Sequence, residues 1–283
     1  MTKRVMMIYP RKSLRDNGFE WLKKEGARAG FSVDIAIDDT LSWGVGKETS
    51  LFVDGVKRDL PDIAVMRHYD TAVSLSFERL GVRTVNTSAS MSLSYNKGLT
   101  HVALSAAGIP MPETLWGSSV GYDRASQMFG TPFVLKSAVG SKGERVWLVS
   151  SRGDYDSLLP LCDGGAVAQR YVAEASGRDI RVWVIGGRAV AAVRRIGGRD
   201  FRSNYSLGGS IEPCTLTPEL SSLAVAASGA LGLEFSGVDI MESAHGLLVC
   251  EVNGNAGFRS VSSLGTADIP AELFAYLASI VGR

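Results

Sequence analysis

The chain has no long apolar run and no excess of either charge. Its longest apolar stretches, such as residues 223–233, are well short of the ~20 residues that a membrane-spanning helix needs. The 30 basic and 29 acidic residues give a formal net charge of +1. This balance gives no electrostatic reason to expect nucleic acid or a membrane as a partner.

Only three cysteines are present, and they are far apart, at Cys162, Cys214 and Cys250. An odd number at this spacing indicates neither a disulfide framework nor a zinc site. The segment MTKRVMMIYP has too short an apolar run for a signal peptide and lacks a small-residue cleavage site. We therefore expect a cytoplasmic protein.

Several familiar catalytic and nucleotide-binding patterns are also missing. The sequence has no GxGxxG fingerprint and no GxSxG elbow, and GVGKET at 44–49 lacks the first glycine of a P-loop. Its three histidines, His68, His101 and His245, are isolated, and neither a Ser/His/Asp nor a Cys/His arrangement is recognisable. A dehydrogenase and a covalent hydrolase are therefore disfavoured.

Glycine, by contrast, is abundant, with 32 residues against an average usage of ~7%. The glycines cluster between predicted strands, at 140–143, 164–165, 186–187, 197–198, 208–209 and 254–257. These are the places where turns and ligand-covering loops belong.

The order of predicted elements changes along the chain. Strands and helices alternate up to about residue 95, which predicts an α/β unit with a largely parallel sheet. Residues 96–110 predict a helix, with apolar residues at Leu99, Val102, Ala103 and Ala106. Beyond it the strands come in hairpin-like pairs, which predicts α+β architecture; the pairs are 132–136 with 145–149, 180–185 with 189–195, and 236–241 with 247–253.

The last hairpin carries polar residues whose placement depends on its register. A three-residue loop at 244–246 would pair Ser243 with Leu247 and Met241 with Val249. Asp239 would then face Glu251, and Gly237 would face Asn253, so that the three polar groups share one side of the ribbon.

Two carboxylates and an amide oxygen on one face are hard ligands of the kind that Mg²⁺ prefers. The alternative is that Asp239 and Glu251 pair with arginines in the next layer, and the spacing leaves both interpretations open. Lys136 ends an apolar strand before a glycine-containing loop, which suits phosphate oxygens, although such turns are also common in hairpins. Arginines from several strands could add positive charge, although each alone is typical of a surface residue.

Together, and in this order, the patterns resemble the ATP-grasp superfamily, in particular its RimK-type branch of glutamate and amino-acid ligases. The resemblance covers roughly residues 84–260, through NKGLTHVALSAAGIPMPET, FVLKSAVGSKGERVWLV, QRYVAEASGRDIRVWVIGGRAVAAVRR, FRSNYSLGGS, GALGLEFSGVDIM and LLVCEVNGNAGF. It implies an N-terminal pre-grasp α/β domain (1–95) and two α+β subdomains (96–170 and 171–283) that enclose ATP. One departure is Ala256, which stands where proline is usual in the family.

The resemblance also implies roles for individual residues. ATP would be bound by Lys97, Lys136, Gly140, Ser141, Lys142, Gly143, Gln169, Arg170, Tyr171, Asp179, Arg202, Ser203 and Asn204. Mg²⁺, with Mn²⁺ as a substitute, would be held by Asp239, Glu251 and Asn253. Arg194, or its neighbour Arg195, and Arg202 would be catalytic, and we expect Arg67, Asp70 and Arg259 to bind the acceptor.

The implied reaction forms an amide through an acyl phosphate. The expected substrates are a small carboxylate and an amine such as an amino acid, and the acceptor is a cofactor precursor, a peptide or a protein tail. The resemblance also implies a homo-oligomer, either a dimer or a tetramer. Two alternatives share the scaffold: a kinase that phosphorylates a small-molecule hydroxyl, and a non-catalytic ATP-binding protein.

Overall fold

The structure is a computed structural model that describes residues 2–11, 18–117, 120–140, 145–162, 164–198, 201, 209–258, 261 and 264–281. Its strands in chain order are β1 (Lys3–Tyr9), β2 (Phe31–Ile37), β3 (Leu41–Gly44), β4 (Ser50–Val53), β5 (Val56–Arg58), β6 (Ile63–Met66), β7 (Arg83–Val85), β8 (Thr114–Gly117), β9 (Phe133–Ser137), β10 (Val146–Val149), β11 (Ala166–Arg170), β12 (Arg178–Ile185), β13 (Arg188–Ile196), β14 (Ser210–Pro213), β15 (Phe235–Ser243) and β16 (Gly246–Asn253). Its α-helices are α1 (Phe19–Arg28), α2 (Thr71–Arg79), α3 (Ser88–Tyr95), α4 (Lys97–Ala106), α5 (Tyr122–Phe129), α6 (Arg152–Leu158), α7 (Pro218–Ala230) and α8 (Ile269–Ile280).

The N-terminal unit is an open parallel sheet, as the alternating pattern predicts. Its strand order is β2-β1-β6-β7, and every pair is parallel. A small antiparallel sheet, β3-β4-β5, was not predicted, because strands of three or four residues are too short to show a period. The α/β part of the fold class is confirmed.

Two antiparallel sheets follow, and they confirm the α+β part. The first has the order β10-β9-β11-β8, and α5 and α6 share its hydrophobic core. The second has the order β14-β13-β12-β15-β16, and α7 packs on one of its faces. Its other face shares a core with the N-terminal sheet and α8, which includes Trp183, Phe258 and Phe274.

Among the described residues, no helix is both long and apolar enough to cross a bilayer.

The last hairpin, formed by β15 and β16, pairs its polar residues as predicted, although its turn differs from the predicted one. Its turn is one residue shorter than predicted, since Ser243 pairs with Gly246 rather than with Leu247. An irregularity between Asp239 and Ile240 then places Cys250 as an extra residue, a β-bulge. Beyond the bulge, Asp239 faces Glu251 as predicted. The bulge thus compensates for the shorter turn.

Helix α4 presents a different face from the one that its apolar spacing suggests. Val102 is 55% exposed, whereas Thr100, His101 and Leu104 are buried. The polar members of this face have partners: Thr100 Oγ1 donates to the Leu93 carbonyl at 2.8 Å, and the His101 ring contacts Gln169. The helix therefore buries polar side chains that contact α3 and β11.

Candidate active site

One face of the C-terminal sheet carries a cluster of charged residues. Directly opposite residues on antiparallel strands point to the same face. Asp179 pairs with Arg195 across β12 and β13, and Arg181 pairs with Asp239 across β12 and β15. Asp239 in turn faces Glu251, so the cluster runs across four strands.

Asp239 lies at the centre of this cluster and is only 3% exposed. Arg181 donates to both of its oxygens at 2.6 Å, and Arg195 Nη2 lies 2.9 Å from Oδ2. Burial alone would raise the pKa of Asp239, but the charges of the two arginines hold it below its usual value. The carboxylate is therefore ionised at neutral pH.

Arg195 bridges two buried carboxylates, since it also donates to Asp179 at 2.6 Å through Nε. Burial would lower the pKa of Arg195, but the charges of Asp239 and Asp179 raise it above its ordinary value. The sequence left open whether Asp239 pairs with arginines. In the structure it does, and both arginines belong to the same sheet rather than to another layer.

The three predicted metal ligands lie together and suit a hard cation. Glu251 is opposite Asp239, and the Asn253 amide nitrogen lies 3.3 Å from Asp239 Oδ2. This contact turns the amide oxygen of Asn253 away from Asp239. The set comprises two carboxylates and an amide oxygen, which fits the few protein ligands that Mg²⁺ normally takes. The described residues contain no group of three or more His, Cys, Asp and Glu side chains suited to a metal ion.

Two lysines of the preceding segment face this set. Lys97 begins α4, and its Nζ lies 3.8 Å from Glu251 Oε1 and 2.8 Å from the Gly140 carbonyl. Lys136 is 8% exposed, and its Nζ lies 3.8 Å from Cys250 Sγ. At the bulge, two adjacent residues of β16 therefore contact different lysines: Cys250 contacts Lys136, and Glu251 contacts Lys97.

Lys136 is held by an amide rather than by an acid. Its Nζ donates to Gln169 Oε1 at 2.7 Å, and no described carboxylate forms an ion pair with it. Gln169 Nε2 in turn lies 2.9 Å from Thr114 Oγ1 and 3.1 Å from His101 Nε2. A buried ammonium with no counter-ion among the described residues is well suited to an anionic ligand.

Several predicted residues do not join the cluster. The Arg194 side chain lies on the opposite face, where it pairs with Glu242. The Arg170 side chain points outward to Glu113. Asp70 caps α2 by accepting from Ala72 N at 2.9 Å. For Arg194 and Arg170 the reason is strand alternation: the residue beside an inward-facing side chain must face outward.

The remaining predicted residues divide into three groups. Gly140 lies at the cluster and binds Lys97 through its carbonyl. Tyr171 directly follows β11, and its ring packs edge-on against Phe201, with ring centroids 6.2 Å apart. The others fall outside the described residues: Ser141, Lys142, Gly143, Arg202, Ser203, Asn204 and Arg259.

Arg67 lies beneath the loop that follows Asn253. It is 5% exposed and donates through Nη2 to the Ala256 carbonyl at 2.7 Å. Its Nε and Nη1 are buried and have no hydrogen-bond partner among the described residues. The guanidinium carbon lies 4.8 Å from the centroid of the Phe235 ring and 5.5 Å from that of Phe258. Arg67 is thus a buried cation whose described partners are neutral.

Sequence reasoning missed two members of the site. In the sequence, His101 is one of three isolated histidines and Cys250 is one of three widely spaced cysteines. One feature of the sequence could have indicated His101: it lies one turn after Lys97, which begins the same helix. No pattern revealed Cys250, because a one-residue bulge leaves no period.

The sequence of this chain is similar to those of a known enzyme family. Residues 94–277 match the RimK-like ATP-grasp domain. A probable alpha-L-glutamate ligase of Maridesulfovibrio salexigens is 35% identical over 232 residues, which cover 80% of this chain and 77% of the relative. A probable alpha-L-glutamate ligase of Alkalilimnicola ehrlichii is 37% identical over 237 residues, covering 81% and 78%.

Solved structures share the whole fold at low identity. The ATP-grasp ligase PsnB, complexed with a minimal precursor, aligns with a TM-score of 0.76 at 21% identity, covering 99% of both chains. D-alanine–D-alanine ligase from Bacillus anthracis, complexed with ATP, aligns with a TM-score of 0.70 at 16% identity, covering 98% of this chain and 96% of that one.

The fold is that of an ATP-grasp enzyme, as the sequence predicted. More narrowly, the chain belongs to the RimK-like ATP-grasp family. It is an ATP-dependent ligase that forms C–N bonds.

Proposed function

We propose that this ligase joins glutamate, or a similar amino acid, to the carboxylate of a small cofactor precursor or a peptide. The observation that carries the proposal is the meeting of Asp239, Glu251 and Asn253 with two lysines from the preceding segment. Oxygen ligands opposite fixed cations are what phosphoryl transfer from ATP requires.

The proposed reaction has two steps. A carboxylate oxygen of the acceptor attacks the γ-phosphorus of ATP, which forms an acyl phosphate and releases ADP. The amine of the second substrate then attacks the acyl carbon, phosphate leaves with the bonding electrons, and the nitrogen loses a proton. The first step brings two anions together, and in the second a phosphate anion leaves, so fixed positive charge near the transferred phosphoryl group lowers both barriers.

The residues of the cluster suit that task. Lys136 and Lys97 are positioned to bind phosphate oxygens, and Arg195 is placed better than Arg194 to face the transferred group. Mg²⁺, or Mn²⁺ in its place, held by the three oxygen ligands would neutralise part of the phosphate charge. Asp179, which the resemblance assigns to ATP binding, is held by Arg195, so we propose that it orients Arg195 as well.

The choice of an amino acid and an acidic acceptor has two supports. Relatives at 35% and 37% identity are named probable alpha-L-glutamate ligases. In addition, Arg67 has two buried nitrogen donors that no described residue pairs with, which suits a substrate carboxylate. A peptide acceptor is a reasonable candidate because PsnB, which shares the fold, was solved with precursor peptide.

The test is ADP release from purified protein with MgATP and libraries of carboxylic acids and amino acids, tried singly and in pairs. We expect ADP only when an acid and an amine are both present, and mass spectrometry should find the amide. Replacing the amine with hydroxylamine should trap the acyl phosphate as a hydroxamate.

Other outcomes identify the alternatives. A stable phosphorylated product formed from an alcohol without any amine would replace the ligase proposal with the kinase. Nucleotide binding without ADP release under any pairing would indicate a binding protein.

A further inference from the structure

We propose that His101 is a positioning residue that orients the Gln169 amide and, through it, holds the Lys136 ammonium in place for nucleotide phosphate. His101 lies on α4, whereas Gln169 and Lys136 lie on adjacent strands of the central sheet. The inference rests on the proposed role of Lys136 in ATP binding, and it assigns a function to a residue that the reaction itself does not use.

The hydrogen-bond directions leave one orientation for the Gln169 amide. Thr114 Oγ1 donates its proton to the Pro112 carbonyl at 2.8 Å, so it can only accept from Gln169 Nε2 at 2.9 Å. The second Nε2 proton then points to His101 Nε2, 3.1 Å away. The carbonyl end, Oε1, is left to accept from Lys136 at 2.7 Å.

This network requires a neutral His101 with its proton on Nδ1. A proton on Nε2 would place two donors against each other and favour rotation of the amide, which would turn its NH₂ group toward the Lys136 ammonium. Burial, together with the positive charges of Lys136 and Lys97, lowers the pKa of His101 to about 3. The ring is 4% exposed, and its Nδ1 lies 3.3 Å from Met111 Sδ.

The arrangement explains how a buried lysine with no described acidic partner is held in place for phosphate. A carboxylate at residue 169 would neutralise Lys136 and compete with phosphate. A neutral amide oxygen fixes the ammonium in one place without neutralising its charge. Three elements therefore cooperate: helix α4, strand β11 and strand β9.

The test compares His101→Leu with His101→Gln in the full-length protein. Leucine removes the acceptor, whereas the glutamine side chain can place an amide oxygen near the position of Nε2. We expect His101→Leu to weaken MgADP binding and raise the KM for MgATP roughly three- to tenfold, the effect of one lost hydrogen bond. The KM for the amino acid should not change, and His101→Gln should recover most of the loss.

A double-mutant cycle with Lys136→Met separates positioning from a general structural effect. If His101 acts through Lys136, His101→Leu should have no further effect on MgADP affinity once Lys136 is gone. Calorimetry with MgADP on folded variants, checked by thermal unfolding, measures all four corners of the cycle.

The stability of the wild type provides a second measurement. Because folding depresses the pKa of His101 from 6.5 to about 3, the unfolded chain binds the proton first as the pH falls. The stabilisation is therefore complete above pH 6.5 and decreases below it, by roughly 2 kcal/mol at pH 5 at about 1.36 kcal/mol per unit. His101→Gln should lack this part of the pH dependence.

Each failure has a separate meaning. If the wild type binds no MgADP, the proposed function fails. If the wild type binds MgADP but His101→Leu binds it equally well, or loses the same affinity in the Lys136→Met background, the positioning role is wrong.

Discussion

Replacing Glu251 with glutamine should reduce ADP release by roughly 10²–10³-fold and leave the fold intact. The loss is of the size seen when one group that stabilises developing charge is removed from an active site. Glu251 is 29% exposed at its side chain and pairs only loosely with Lys97, at 3.8 Å, so the neutral amide should fit without strain. Steady-state ADP release at saturating acid and amine measures the effect.

Glu242→Gln is the matched control for this prediction. Glu242 belongs to the same hairpin but pairs with Arg194 on the opposite face. We expect activity within about twofold of wild type, because a surface ion pair contributes only ~0–1 kcal/mol. Near-normal turnover by Glu251→Gln, or an equal loss in both variants, would contradict the metal-binding role of Glu251.

Replacing Arg195 with methionine should destabilise the protein by about 3–5 kcal/mol, the usual consequence of removing one partner from a buried ion pair. The side chains of Arg195, Asp179 and Asp239 are 7%, 7% and 4% exposed. Without Arg195, Asp179 loses a buried ion pair, and Asp239 loses one of the two arginines that neutralise it. Chemical denaturation monitored by circular dichroism measures the loss.

Arg194→Met provides the comparison, since it removes the same charge from the next residue of the same strand. The side chain of Arg194 is 30% exposed and that of its partner Glu242 is 49% exposed, so we expect a loss of only ~0–1 kcal/mol. If both variants lose the same stability, the buried network does not stabilise the fold as inferred.

The hairpin of β15 and β16 shows how sequence reasoning can be correct at the site and wrong in the turn. The pairing of Asp239 with Glu251 was derived from an assumed three-residue turn, and the structure has the same pairing although its turn differs. The turn was one residue shorter than predicted, and the bulge at Cys250 compensated. A one-residue insertion of this kind has no signature in the sequence of a single strand.

The two adjacent arginines show a second limit. Alternation requires Arg194 and Arg195 to face opposite sides of the sheet, and the sequence alone did not indicate which side carries the site. In the structure, Arg195 shares the face of Asp179 and Asp239, because these residues are neighbours across the strands. Strand pairing, rather than the local sequence, decides between them.

Helix α4 shows a third limit, because its buried face is polar. Apolar spacing predicted Val102 as part of the packed stripe, but Val102 is exposed and His101 is buried. Periodicity detects only faces that pack through hydrophobic side chains. A face that buries a histidine against a glutamine of another element becomes visible only when the tertiary contacts are known.

Crystals grown with Mn²⁺ and a non-hydrolysable ATP analogue would locate the metal by anomalous diffraction. We predict a peak at direct coordination distance from oxygens of Asp239, Glu251 and Asn253, with the nucleotide phosphates between it and Lys136. A peak elsewhere, with Asp239 bound only to Arg181 and Arg195, would show that the ribbon is an ion-pair network and not the metal site of this ligase.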